Sequence, residues 1–235
     1  MTVLEMHTAV LLGLDKSSSF EVAAYEPEDI DYWLNESQLE LIKQKVFGNN
    51  YRKERYGEGI KRADDLATLI EYTGELSFPT ELVPHAYHPN VAGVSIATHI
   101  PDYLFYIGSD VLIADPNAST TNTPHESILV EEEVIGKLIA TPYNEPVLRN
   151  AYIYLKENQV NVIYDPYATL DSIYVSYIRK PDKLVRSTPG VGETTVCELP
   201  EQVHPELVAL TISLMLENIE SPRFQTQFLT LNNKE

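Results

Sequence analysis

Cysteine is nearly absent from this chain. The one at Cys197 has no intrachain partner, which excludes a disulfide framework and a cysteine-rich zinc site; it is expected to be a small buried hydrophobe. Cations are also scarce: 17 Lys and Arg stand against 35 Asp and Glu, for a formal charge of −18. So acidic a surface repels phosphate backbones, and tight nucleic-acid binding needs cations that neutralise phosphates. DNA is therefore excluded as a firmly held ligand, though not as something that slides past. Long apolar runs are missing too. The N-terminal stretch MTVLEMHTAVLLGLDKSSSF has an apolar segment at 9–14, too short to span a bilayer and without the basic flank of a signal peptide. The expectation is a protein with no membrane contact that folds in a reducing cytoplasm. What remains is the profile of a globular protein, 43% hydrophobic and 22% charged over 235 residues, enough for one large domain or two small ones.

Periodicity then divides the chain. A short helix is expected over 2–15, ended by the serines at 17–19. EPEDID at 26–31 is a Pro-and-acid helix start. It leads into IDYWLNESQLELIKQKVF at 30–47, where Ile30, Trp33, Leu34, Leu41 and Phe47 join Ser37, Gln38 and Lys45 in an amphipathic helix closed by Gly48. Arg52, Lys53, Arg55, Lys61 and Arg62 gather in YRKERYGEGIKR at 51–62, a basic island in an acidic chain. A short helix is expected at 63–72. From 82 to 112 the residues are β-branched and aromatic and read as strands, clearest in VAGVSIATHI and DYLFYIGSDVLIAD. DPNASTTNTPHE at 115–126 reads as a polar loop and EEEVIGKLIA at 131–140 as a brief helix. AYIYLKENQVNVIY reads as a hairpin with Glu157-Asn158 at its tip, and SIYVSYIRKP at 172–181 as a further strand. The last helix, QVHPELVALTISLMLENIE, carries two adjacent apolar stripes, which places it in a core or between subunits. Ser221-Pro222 stops it, and Phe224, Phe228, Leu229 and Leu231 follow in a polar tail.

These elements predict an α+β fold. A helical body (1–75 and 197–220, the N-terminal helices plus the long C-terminal helix) would carry an inserted antiparallel β-rich region (76–196) and an extended C-terminal docking tail (221–235).

No string in the chain assembles a reaction. His85 and His88 have a spacing that serves metals, but no third ligand is near, and metal sites need three or four convergent donors. GVGETT at 190–195 has Glu193 where a phosphate loop needs lysine and Ser187 where it needs glycine. Asp64 and Asp65 are adjacent on a helix, so their side chains diverge by about 100°; helix-dipole stabilisation and salt bridges with Lys61 and Arg62 are their expected roles. The glutamates 131–133 read as a solvated charged face. The chain is expected to be no enzyme, with no catalytic, cofactor-binding or metal-binding residue and no cofactor. Its 15 tyrosines suit a carbohydrate groove or a protein interface.

Four stretches resemble the neck-ring, or head–tail connector, proteins of crAss-like short-tailed bacteriophages. They are LGLDKSSSFEVAAYEPEDIDYWLNESQLELIKQKVFG at 12–48, KRADDLATLI at 61–70, YIRKPDKL at 177–184 and CELPEQVHPELVALTISLMLENIESPRFQT at 197–226. They cover the N-terminal third and the C-terminal quarter, and LENIESPRFQT is the most specific. The resemblance implies a virion structural protein of the neck or tail, made in the host bacterial cytoplasm. It would form a homo-oligomeric ring of twelve copies that joins the portal protein to adjacent neck or tail rings and lets DNA pass through its lumen. The residues expected at subunit or portal contacts are Trp33, Arg52, Arg55, Arg62, Arg223, Phe224, Phe228 and Leu231. The alternative is a tail-associated carbohydrate- or receptor-binding module, motivated by the tyrosine-rich strands.

Overall fold

The structure is a computed structural model that describes residues 1–17, 25–48, 60–78, 91–114, 123–139, 151–156, 158–165, 169–186 and 195–218. The chain divides into two compact units, residues 1–69 with 180–235 and residues 70–179.

The first unit contains α1 (Val3–Ser17), α2 (Pro27–Phe47), α3 (Ile60–Leu66) with a 3-10 turn at Ala67–Leu69, and α6 (His204–Asn218) preceded by a 3-10 turn at Glu201–Val203. Local chemistry sets the limits of α2. Glu26 and Asp29 form a reciprocal capping box and Pro27 occupies the first turn, while Gly48 at φ 71° closes the helix in the left-handed conformation. Between these ends Ile30, Leu34, Ser37, Gln38, Leu41, Ile42 and Lys45 are buried, so three polar side chains share the core face. Helix α1 buries Val3, Met6, His7, Val10 and Leu14. It approaches α6 closely at Gly13, where a Cβ would collide with the Ile212 side chain.

The second unit is an eight-stranded sheet curved into a half-barrel. Its strands are β1 (Ile70–Tyr72), β2 (Leu76–Ser77), β3 (Val91–Ser95), β4 (Tyr103–Ala114), β5 (Thr123–Leu129), β6 (Ala151–Lys156), β7 (Gln159–Ile163) and β8 (Thr169–Arg179), with α4 (Ile96–His99) after β3 and α5 (Glu132–Ile139) after β5. The order is β1-β8-β4-β5-β6-β7-β3, with β2 also on β8. The long β4–β8 pair is irregular at three places, between Tyr103 and Phe105, Tyr106 and Gly108, and Leu112 and Ile113. Bulges of this kind increase twist and bend a sheet. The β6–β7 hairpin turns at Asn158, whose φ of 61° is one that asparagine tolerates better than most residues. Val94, Val111, Ile153, Val160, Val162, Ile173 and Val175 are among the residues of its main core cluster.

The expectation of a helical body carrying an inserted antiparallel region is overturned. The sheet is the dominant element, with about a third of the described residues in strands. It is mixed, because β5 and β6 run parallel. Two segments explain the difference. Ile70-Glu-Tyr72, expected in a helix, pairs with β8. Thr123–Glu126, expected in a loop, pairs antiparallel with β4. The expected tail at 221–235 lies outside the described residues.

Candidate assembly surfaces

The polar face of α2 is the starting point in the first unit. Lys45 is fully buried, and its Nζ donates to Asp65 Oδ2 at 2.6 Å and to Glu206 Oε2 at 2.8 Å. Lys61 reaches the other Glu206 oxygen at 3.3 Å, and Gln202 Nε2 donates to Asp64 at 2.8 Å and Asp65 at 3.1 Å. Burial alone would push the Glu206 carboxyl up, but hydrogen bonds and charge from Lys45 and Lys61 outweigh it and hold the group below its ordinary value. The expected pairing of Lys61 with the neighbouring aspartates is therefore replaced by a bridge to α6. These ions tie α2, α3 and α6 together. They face inward and bind nothing from outside.

A second polar cluster fixes the segment after β8. Asp31 Oδ1 accepts from buried His7 Nε2 at 2.7 Å, and both Asp31 oxygens accept from the Arg186 amide at 3.1 Å. One turn later Asn35 Nδ2 donates to the Leu184 carbonyl and Asn35 Oδ1 accepts from the Leu184 amide, each at 2.8 Å. His204 Nε2 lies 2.8 Å from the Leu199 carbonyl. Desolvation lowers the pKa of its imidazole, although the Leu199 carbonyl opposes this.

Helix α6 was expected to use one of its two apolar stripes between subunits. Instead it packs on both α1 and α2, and Leu207, Val208, Ile212, Met215 and Leu216 are buried inside the unit. The outward apolar row belongs to α1, where Leu4, Leu11 and Leu12 are 54%, 38% and 56% exposed. Leu4 and Leu11 lie seven residues apart, on nearly the same line along the helix.

Tyrosine serves the interior of the second unit. Tyr154, Tyr164 and Tyr177 are buried. Tyr177 donates to Glu71 Oε2 at 3.1 Å; burial first, then that bond and the nearby carboxylates, push its phenol up to about 12. Tyr106, Ser109 and Ser127 form a hydroxyl chain with oxygens 2.7 and 2.6 Å apart. Burial raises the Tyr106 phenol in spite of those two hydrogen bonds. The chain has no acid or base attached that would activate a serine.

The exterior of β4 and β5 is acidic. Asp110 and Glu126 are exposed and directly opposite in the antiparallel register. Beyond them Leu129, Val130, Glu131, Glu132, Glu133 and Leu155 line an open cavity of about 660 Å³. Lys156 neutralises Glu132 at 2.6 Å.

Of the residues expected at contacts, Trp33 is half-buried on α2 and packs edge-on against exposed Tyr32, with ring centroids 5.4 Å apart. Arg62 is buried, only 2% exposed. Arg52, Arg55, Arg223, Phe224, Phe228 and Leu231 lie outside the described residues, as do His85, His88 and most of the Gly190–Thr195 stretch. Among the described residues no group of three His, Cys, Asp or Glu could hold a metal ion, and no helix is long and apolar enough to cross a membrane. Sequence reading missed the α1 row, although Leu4 and Leu11 stand at helical spacing, and the Asp110–Glu126 opposition, which only strand register reveals. No protein-family model matches the chain, and no curated protein matches it.

Proposed function

We propose that this chain is a virion structural subunit without enzymatic activity. It forms a ring-shaped head–tail connector that joins the portal protein to the tail and lets DNA through its lumen. The resemblance of residues 12–48, 61–70, 177–184 and 197–226 to crAss-like phage connectors supplies the class. The observation that carries the assembly half is the leucine row on α1, because monomeric proteins rarely leave aligned large hydrophobes outward unless another surface covers them. The net charge of −18 suits a channel component that DNA must pass without sticking. The carbohydrate-binding alternative has less support, since Tyr154, Tyr164 and Tyr177 are spent on the core.

Mass photometry of the purified chain mixed with the portal protein encoded beside it tests the proposal. Discrete ring-sized particles, present with portal and lost when Leu4 and Leu11 are both changed to Ser, are expected. A chain that stays monomeric with portal in excess contradicts the proposal.

A further inference from the structure

We propose that the acidic face of β4, β5 and α5 is a docking surface for the basic stretch Tyr51-Arg52-Lys53-Glu54-Arg55-Tyr56 of a second copy, so that copies join head to tail. This rests on the ring reading and names the contact that would close the ring.

The face combines three features. The first is the Asp110–Glu126 pair, two carboxylates directly opposite on neighbouring strands. Such like-charge pairs repel and weaken the sheet that carries them unless a cation sits between or above them. The second is apolar exposure continuous with that pair: Ile128, Leu129 and Leu155 are 49%, 52% and 39% exposed, and Ile128 lies two residues from Glu126 on the same side of β5. The third is the rim of the cavity. Lys156 occupies Glu132, whereas among the described residues Glu131 and Glu133 form no ion pair and leave two charges at the mouth.

The chemistry of the occupant follows from these features. Carboxylates beside exposed leucines call for guanidinium or ammonium groups interleaved with flat amphipathic rings. A phosphate-bearing ligand would be repelled. In a chain with 17 cations among 235 residues, the YRKERY stretch offers that combination: three cations, one acid and a tyrosine at each end. A contact between two different patches of identical chains is heterologous, and repetition of a heterologous contact with a closing rotation generates a ring.

Charge reversal tests the proposal. The full chain with portal protein would be compared, by mass photometry, with E131K/E133K, with R52E/K53E/R55E and with the two sets combined. Each reversed set alone is expected to reduce ring particles by about tenfold or more, and the combination to restore them. The milder E131Q/E133Q, which leaves the start of α5 undisturbed by a new cation, should give an intermediate loss; Trp33 fluorescence and circular dichroism establish that each variant is folded. Rings from both reversed variants overturn this inference and leave the ring reading standing. So does a combined variant that stays apart. A reversed chain that still self-assembles but no longer recruits portal assigns the face to the other protein and also overturns it. A wild-type chain that never assembles overturns both.

Discussion

The two units solve the problem of buried polarity differently. The first places ions inside: Lys45, Asp65 and Glu206 between three helices, and Asp31 beside His7. The second places neutral hydroxyls inside, with Tyr106, Ser109 and Ser127 in a chain and Tyr177 on Glu71. Buried ions are costly unless complete, whereas hydroxyls exchange partners at modest expense. The first unit should therefore be brittle to single changes and to acid, and the second tolerant of single polar changes and sensitive to alkali. Trp33, the sole tryptophan, lies in the first unit, so its fluorescence reports that unit while the β-sheet signal in circular dichroism reports the other.

The largest effect is expected at Lys45. Lys45→Met leaves two carboxylates buried without their cation and should cost about 3–5 kcal/mol, measured as a shift of the Trp33 transition in urea. Changing Asp65 and Glu206 to apolar residues in the same chain should recover much of the loss. A neutral Lys45→Met would break the comparison. Next comes Gly13→Val, which forces a branched side chain into Ile212 of α6; about 1–3 kcal/mol is expected from such overpacking, again in the fluorescence transition.

The pH arms come third. His204 has its pKa lowered from 6.5 and Glu206 from 4.5. Their contributions are present above those values and fade as pH falls through the still lower folded-state values, so the first unit weakens from about pH 6.5 downward. Tyr177 is raised from 10.0 to about 12. Its contribution is complete below pH 10 and is lost between there and about 12, so the sheet weakens in alkali. Tyr25 and Cys197 are raised as well and give the first unit a share of the alkaline response; acid is thus the arm that separates the units. Fluorescence and dichroism transitions recorded at pH 4 and pH 7 read the difference, and loss of the sheet before the Trp33 signal at the lower pH would refute it. The smallest effect is at Tyr106→Phe, which deletes one end of the hydroxyl chain and should cost about 1 kcal/mol in the sheet transition.

Much of the first unit was legible beforehand. Glu26-Pro27 and Gly48 frame α2 in the sequence as in the structure, and Lys45 at a core position already implied an anionic partner. Its partners were not legible, since Asp65 and Glu206 are 20 and 161 residues away. In the second unit the β6–β7 hairpin was readable from alternation and an asparagine turn. Strand β1 was not, because three residues take their conformation from β8 rather than from their own propensity. Strand β5 begins Thr-Pro-His-Glu, which has no strand signal, and is held by its pairing with β4. The twin stripes of α6 were visible, but only the packing shows that α1 and α2 cover them. The outward surfaces were the least legible part. An exposed leucine on α1 and a buried one have the same letter, and strand register alone sets Asp110 opposite Glu126.

The central claim is that this chain exists to pack against copies of itself at the portal. Electron cryo-microscopy of the chain assembled with portal protein tests it most directly. The account predicts a closed, rotationally symmetric ring on the portal with Leu4 and Leu11 of α1 covered. Isolated single chains, or a ring in which those leucines still face solvent, would contradict it.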